Sequence, residues 1–354
     1  MKKVAGNWKV WVGIIISLGF MFLAFRKVDF VQMWSAFKSA DYWWFIPALI
    51  ILFASHFMRT IRWRYLLLPV KKVETGVLFS SLMIGYMANI FLPAHLGEFL
   101  RAFMVGKKRQ VPASAVFGTI VIERIIDVFT LLALMALTMV VFPSFPDWVR
   151  KSGYISFAAI GGLLILLVMM KKYREQSLKI TEWVSNPLPK KLRTKIIGLL
   201  HSFLDGIVPL ENWKHYSIVV ILSILIWACY GAIFLISIHA FNFDHLYALP
   251  WTASLVLLVI TTISILVPSS PGYVGTYHYL CVLSLGLFHV PKSPALSFAF
   301  VVHGISFLPI LLLGLILLSV EGMSFKSLQK NQTMEKENVG RTENTLQRVP
   351  QVAE

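Results

Sequence analysis

The sequence predicts an all-α polytopic membrane protein: six crossing helices and two broken or re-entrant helical hairpins, arranged as an inverted repeat. Three observations predict it. Of 354 residues, 57% are hydrophobic and 14% charged, with a mean hydropathy of +0.72, far outside soluble composition. Several apolar runs approach or exceed the roughly 20 residues that cross about 30 Å of hydrocarbon. Two further apolar stretches, 76–110 and 251–290, are interrupted by proline and glycine.

The first run, WVGIIISLGFMFLAF (11–25), follows MKK and Lys9 as a signal peptide would. No A-x-A cleavage site comes after it, so 10–25 reads as a retained anchor. YWWFIPALIILFASHFM opens a span over 42–60, and further spans fall at 112–142, 153–170, 216–241 and 295–320. If 76–110 were one simple span, Arg101, Lys107, Lys108 and Arg109 would face outward while Arg59, Arg62, Arg64, Lys71 and Lys72 stayed cytoplasmic, against the positive-inside bias. Folding 76–110 and 251–290 back, as re-entrant loops or as complete pairs, puts both termini and most of the 33 lysines and arginines on the cytoplasmic side.

The two interruptions match. Pro93-x-x-x-Gly97 and Pro268-x-x-x-Gly272 share one offset, close to half the chain, and that offset also carries the span at 42–60 onto the one at 216–241. The core therefore reads as helix, broken hairpin, helix, written twice: repeat 1 over about 42–142 and repeat 2 over about 216–320. The first hairpin dips from the cytoplasm and the second from outside, the arrangement by which many transporters build a midplane site. The plainer alternative is that prolines and glycines occur often in membrane helices and that the match is coincidence. Residues 1–322 form the membrane domain. Within it the basic linker 171–215 reads as amphipathic helices on an anionic leaflet, and 323–354 as a disordered cytoplasmic tail.

The net charge of +16 sorts by loop, so it implies a membrane surface and no nucleic acid. Cys229 and Cys281 lie inside apolar segments, where they assemble neither a disulfide framework nor a metal site, and no cofactor is expected. The absence of a P-loop pattern argues against direct ATP drive.

The strongest chemical signal is IVIERIIDVFTLLALM (120–135), which places Glu123, Arg124 and Asp127 early in a span. Each would cost about 2.5–3.5 kcal/mol at a lipid-exposed helix centre, so they face protein or water. Arg124 is three residues before Asp127 and can pair with it, leaving one carboxylate over. The group is either a neutralised lock between helices or a polar site that awaits Arg101, a proton or a cationic substrate group. In LPAHLGEFLRAF (92–103), Pro93 and Gly97 end one helix, and the freed backbone must find partners in protein or water. Glu98 and Arg101 can pair with each other or with Arg124 and Glu123, and the amides that start the second half-helix favour an anion such as phosphate.

The second break, VPSSPGYVGTYHYL (267–280), offers Pro268, Ser269, Ser270, Pro271, Gly272, Gly275 and His278 and no carboxylate, which suits a phosphate or a sugar hydroxyl. His303, inside the last span, is either a hydrogen-bonded core residue or a proton relay. Arg59 and Arg62, one turn apart beside Trp63 at the cytoplasmic boundary, are either orientation anchors or a lipid phosphate clamp.

Four stretches together, RTIRWRYLL, NIFLPAHLGEFLRAF, ERIID and PSSPGYVGT, resemble the flippase-like membrane domain family named after the lysylphosphatidylglycerol synthase transmembrane region. The resemblance spans most of 10–320. It implies a protein of the bacterial cytoplasmic membrane that moves a phospholipid or a polyprenyl-linked lipid across the bilayer. On that reading Arg59 and Arg62 gather the headgroup phosphate, and the hairpin tips, Asn89 to Arg101 and Pro268 to His278, line its path. Glu123, Arg124 and Asp127 set charge selectivity. No aminoacyltransferase domain follows the membrane region, so aminoacylation of phosphatidylglycerol is not implied. Where relatives continue PGG-x-G with a nearby glutamate, this chain has Tyr273 and His278. The rival expectations are an integral membrane transferase acting on lipid-linked sugars and a scaffold of a glycan or lipid synthesis complex.

Overall fold

The structure is a computed structural model that describes residues 8–91, 96–142, 147–206, 212–265 and 271–322. Pro93, Pro268, Ser269, Ser270 and the tail over 323–354 lie outside the described residues. Among the described residues every regular element is helical. The chain opens with α1 (Trp8–Phe25), α2 (Phe30–Ser39) and α3 (Phe45–Leu67). The first hairpin is α4 (Thr75–Phe91) and α5 (Leu96–Arg109), followed by α6 (Ala113–Val141) and α7 (Asp147–Lys172). The linker holds α8 (Arg174–Val184) and α9 (Lys190–Gly206), leading to α10 (Trp213–Ala240) and the short α11 (Phe243–Leu246). The second hairpin is α12 (Thr252–Thr262) and α13 (Thr276–Gly286), and α14 (Lys292–Val320) closes the bundle.

Among the described residues, four helical stretches are long and apolar enough to cross a membrane: Tyr42–Leu67, Asp147–Lys172, Trp213–Ala240 and Lys292–Val320. The protein is thus a polytopic membrane protein. The other two predicted spans are also helical, as α1 and α6. The described hairpin helices have 17, 14, 11 and 11 residues, and α5, α12 and α13 are below the length of a full crossing. Each predicted hairpin is described as two separate helices, with the intervening residues 92–95 and 266–270 outside the described residues.

Helix starts follow local chemistry. Asp29 accepts from the amides of Val31 (2.8 Å) and Gln32 (3.1 Å) and so begins α2, a ten-residue element too short and too polar for hydropathy to mark. Its exposed Phe30, Val31 and Trp34, with Trp43 just beyond it, form an aromatic edge of the kind found at membrane interfaces. Asn212 caps α10 in the same way, accepting from the Lys214 amide at 3.0 Å.

Packing places the elements in two like sets. α3 lies along α10, α4 against α14, and α12 against α6. Within the sets α3 meets α4 and α5 meets α6, just as α10 meets α12 and α13 meets α14. Exchanging α3, α4, α5 and α6 for α10, α12, α13 and α14 maps this pattern of neighbours onto itself. The hairpin tips touch: a Cβ on Gly272 would lie 3.6 Å from Ile90 Cγ2 at the end of α4. At the other end of the first hairpin, Lys108 on α5 is ion-paired with Glu321 after α14, and that bond holds the Glu321 carboxyl below the usual carboxylate range.

The linker helices do more than lie on a surface. A Cβ on Gly206 would come within 2.0 Å of the Ala115 carbonyl oxygen, and one on Gly118 within 2.7 Å of that of Phe203, so α9 is seated backbone to backbone on the first turns of α6. Phe117 of α6 is stacked on Phe99 of α5 at 4.4 Å and tilted against Phe203 of α9 at 6.4 Å. α9 itself supplies a comparison. Gly206→Ala should destabilise the fold by about 1–3 kcal/mol through forced overpacking. Gly198→Ala, with nothing within 4 Å of the new methyl, should be neutral or stabilise by up to about 1 kcal/mol. Thermal unfolding of the two variants in detergent checks this.

Candidate functional site

The periodicity of three helices brings seven ionised side chains together. On α3, Arg59 and Arg62 are three residues apart and share a face; on α6, Glu123 and Asp127 are one turn apart. Asp127 is held by both arginines, by Arg59 at 2.8 Å and by Arg62 at 2.7 Å. Glu123 is held from the other side by Arg101 of α5 at 2.5 Å, with Arg62 at 3.4 Å and Arg59 at 3.5 Å. Arg124 points another way and meets Glu98 at 3.2 Å, with Glu123 and Asp127 each at 3.5 Å.

Neutral groups complete the frame. Arg62 donates to Ser223 (3.0 Å) and Arg59 to Tyr230 (2.9 Å), both on α10, so the second set of helices closes over the charges of the first. The Arg101 guanidinium lies 3.5 Å from the ring centre of Trp63, whose indole donates to Thr119 on α6 at 3.0 Å. Tyr86 of α4 is close enough to Arg59 and Arg124 to feel both charges, and its hydroxyl is buried.

Exposure divides the cluster. The side chains of Arg62, Glu123 and Arg101 are 0–2% exposed, whereas Glu98 is 17% and Arg124 36% exposed. The inner three form a lock; the outer two form an edge. That edge faces the second hairpin, because Tyr273 stands near enough to Glu98 and Arg124 to sense both.

The structure corrects two expectations. Arg59 and Arg62 are not boundary anchors: they are 6% and 0% exposed and turn into the bundle, because Glu123 and Asp127 are opposite them. Nor is the surplus negative: the carboxylate beyond the Arg124–Asp127 pair, Glu123, takes Arg101, one of its expected partners. Arg59, Arg62, Arg101 and Arg124 face Glu98, Glu123 and Asp127, so among the described residues the surplus charge is positive. Arg124 is within 3.5 Å of Asp127, but Arg59 and Arg62 hold that carboxylate more closely. Glu98 and Arg101 do not pair with each other; they take Arg124 and Glu123, the other expected arrangement.

At the first break Asn89 Oδ1 accepts from the Gly97 amide at 2.7 Å and caps α5 across the gap. A Cβ on Gly97 would sit 2.0 Å from the Gly85 carbonyl oxygen, so only glycine lets α4 and α5 approach this closely. The second tip is a 3-10 turn over Pro271–Tyr273 with Gly272 at φ 72° and Tyr273 at φ 59°. Gly275 has φ 95°, and its missing Cβ would lie 2.4 Å from the Ser17 carbonyl oxygen, so α1 braces this tip. His303 is hydrogen-bonded to the Gly272 carbonyl at 2.9 Å, and its ring is 4.9 Å from that of His278. Gly272, Gly275, His278 and His303 thus form a group of their own behind the tip, not part of the ionic cluster. No three metal-ligating side chains converge among the described residues.

Sequence reasoning passes over Tyr86, Ser223 and Tyr230. A hydroxyl in an apolar helix carries no signal by itself, and only the approach of α10 to α3 gives the last two their role.

These features define a class: a multi-span helical protein that buries a charged cluster where interrupted hairpins converge. The chain belongs to the family described as the lysylphosphatidylglycerol synthase TM region, whose sequence model matches residues 10–314. It is 26% identical over 129 residues to Glycosyltransferase AglD of Haloferax volcanii, a match covering 36% of this chain and 21% of that protein. A UPF0104 membrane protein of Methanothermobacter thermautotrophicus is 24% identical over 207 residues, 54% of this chain and 61% of the relative. Another, from Methanocaldococcus jannaschii, is 21% identical over 321 residues, 86% of this chain and 92% of the relative. The chain therefore spans less than two thirds of the first two of these relatives. No solved structure matches it.

The division between lock and edge is measurable as stability. Glu123→Gln strands buried guanidiniums and should cost about 3–5 kcal/mol. Arg124→Gln removes only the longer, partly exposed contacts and should cost about 1 kcal/mol or less. Chemical unfolding in detergent of the two variants separates these values.

Proposed function

We propose that the protein is a lipid translocase of the cytoplasmic membrane, carrying a phosphate-bearing lipid headgroup between leaflets by alternating access, with both termini cytoplasmic. The observation that carries this reading is the surplus guanidinium, Arg124, at the partly exposed edge of the cluster beside the tip of the second hairpin. Held only by carboxylate contacts of 3.2–3.5 Å, this guanidinium can trade a carboxylate for a headgroup phosphate.

The repeated pattern of helix neighbours supports six crossing helices in two inverted halves, with α4–α5 and α12–α13 as re-entrant hairpins, α12 and α13 being too short to cross singly. In such a frame the inner lock of Arg62, Glu123 and Arg101 fixes the first half. The edge formed by Glu98, Arg124 and Tyr273 is where the halves separate and rejoin. Arg59 and Asp127, between lock and edge, tune the charge that the headgroup meets. The family resemblance agrees with lipid handling.

A second reading has one observation in its favour, the match to a protein named a glycosyltransferase. On that reading the chain is an integral membrane transferase for lipid-linked sugars, with Glu98 or Asp127 as general base. The ionic pairing weighs against it, because Asp127 is engaged by two arginines at 2.8 Å or less and is a poor proton acceptor in that state.

Transfer of a headgroup-labelled phosphatidylglycerol between the leaflets of reconstituted vesicles tests the proposal. The unaltered protein should accelerate transfer over protein-free vesicles. Arg124→Gln should lower the rate at least about tenfold, taking the loss of one charge-assisted contact as roughly 1.5–3 kcal/mol, while Gly198→Ala leaves it unchanged. Formation of a new glycolipid without headgroup movement would support the transferase instead.

A further inference from the structure

Within the cluster Arg124 is the guanidinium most loosely paired with carboxylates. Its three carboxylate contacts span 3.2–3.5 Å, whereas Arg59, Arg62 and Arg101 each reach a carboxylate at 2.8 Å or less. Glu98 is the carboxylate least committed to the cluster: Glu123 and Asp127 each meet three or more arginines, while Glu98, among the described residues, pairs with Arg124. Glu98 also stands on the first turn of α5, directly after the break, where the chain is a 14-residue half-helix. Arg101, one turn further on, keeps that half-helix tied to Glu123, so the first turn can give way without loss of the lock.

We infer that Glu98 is an internal stand-in for the substrate: it occupies Arg124 in the empty protein and yields it to a phosphodiester monoanion on a lipid. The inference rests on the translocase reading and narrows its substrate class. Glu98 and a phosphodiester carry the same single negative charge, so their exchange leaves the electrostatic balance of the cluster unchanged. A zwitterionic headgroup would bring an extra cation beside four guanidiniums, and like charges brought together out of water repel strongly. The favoured cargo is therefore an anionic phospholipid with an uncharged headgroup alcohol. The planar fork of Arg124 suits two phosphate oxygens at once, with the hydroxyls of Tyr86 and Tyr273 nearby. The exchange also couples binding to motion, because the displaced group belongs to the hairpin that must move.

Binding of short-chain phosphatidylglycerol to the full chain in detergent tests this without requiring transport. Glu98→Gln removes the competitor and should tighten binding about threefold to tenfold, the range that a partly exposed ion pair supports. Glu98→Asp, too short to reach Arg124, should shift binding in the same direction and serves if the glutamine variant does not fold. Adding Arg124→Gln to either variant should abolish the gain. Short-chain phosphatidylcholine should bind equally to all forms, and inorganic phosphate should compete only at far higher concentration than the lipid. Unchanged or weaker phosphatidylglycerol binding in both Glu98 variants would overturn the inference, as would equal tightening toward phosphatidylcholine. Competition by inorganic phosphate at the lipid's own concentration would assign the site to free phosphate and also overturn it. If binding tightens as stated but no form moves lipid in vesicles, the translocase reading fails and the exchange stands. If lipid moves but the Glu98 variants bind no tighter, only the exchange fails.

Discussion

Glu123 is fully buried with Arg101 at 2.5 Å and Arg62 at 3.4 Å, and none of these ions can be left facing hydrocarbon. Taking such charges out of water costs several kcal/mol each before any pairing repays it. The repayment requires α3, α5 and α6 to meet at one point and α10 to supply Ser223 and Tyr230 as a neutral cover. A bundle of apolar helices alone has little reason to choose one arrangement, since lipid is as apolar as the helix faces. The ionic lock supplies the choice.

The interrupted hairpins follow from the same need. One straight helix would carry Arg101 away along its own axis. A break lets α5 return at the angle that puts Arg101 on Glu123, and Asn89 then caps the exposed amide of Gly97. The close approach of Gly97 to the Gly85 carbonyl makes the return compact. On the other side Gly275 meets the Ser17 carbonyl, so α1 is more than an anchor: it braces the tip of the second hairpin.

Much of this was legible beforehand because it depends on composition and period. Apolar run length marked the long helices, and paired prolines and glycines marked both breaks. Three ionised residues in one span had to converge on partners. What was not legible depends on tertiary approach. Arg59 and Arg62 read as interface anchors, because an arginine near a span end looks the same whether it points to water or to a carboxylate on another helix. The sign of the surplus charge depends on the same approach, since it turns positive only when both arginines enter the cluster. α2 escaped a hydropathy reading, yet Asp29 followed by Phe30 is a local cap signal that a search for helix starts detects. The seating of α9 on α6 through Gly118 and Gly206 has no local signature at all.

On the translocase proposal, the outer edge of the cluster, where the hairpins meet, opens in turn to each side of the membrane. Labelling of Tyr273→Cys by a membrane-impermeant thiol reagent, in oriented vesicles and in a background where Cys229 and Cys281 are replaced, tests it most directly. The account predicts labelling from both faces, with anionic phospholipid shifting the balance between them. Labelling from one face only, whatever lipid is present, would contradict it.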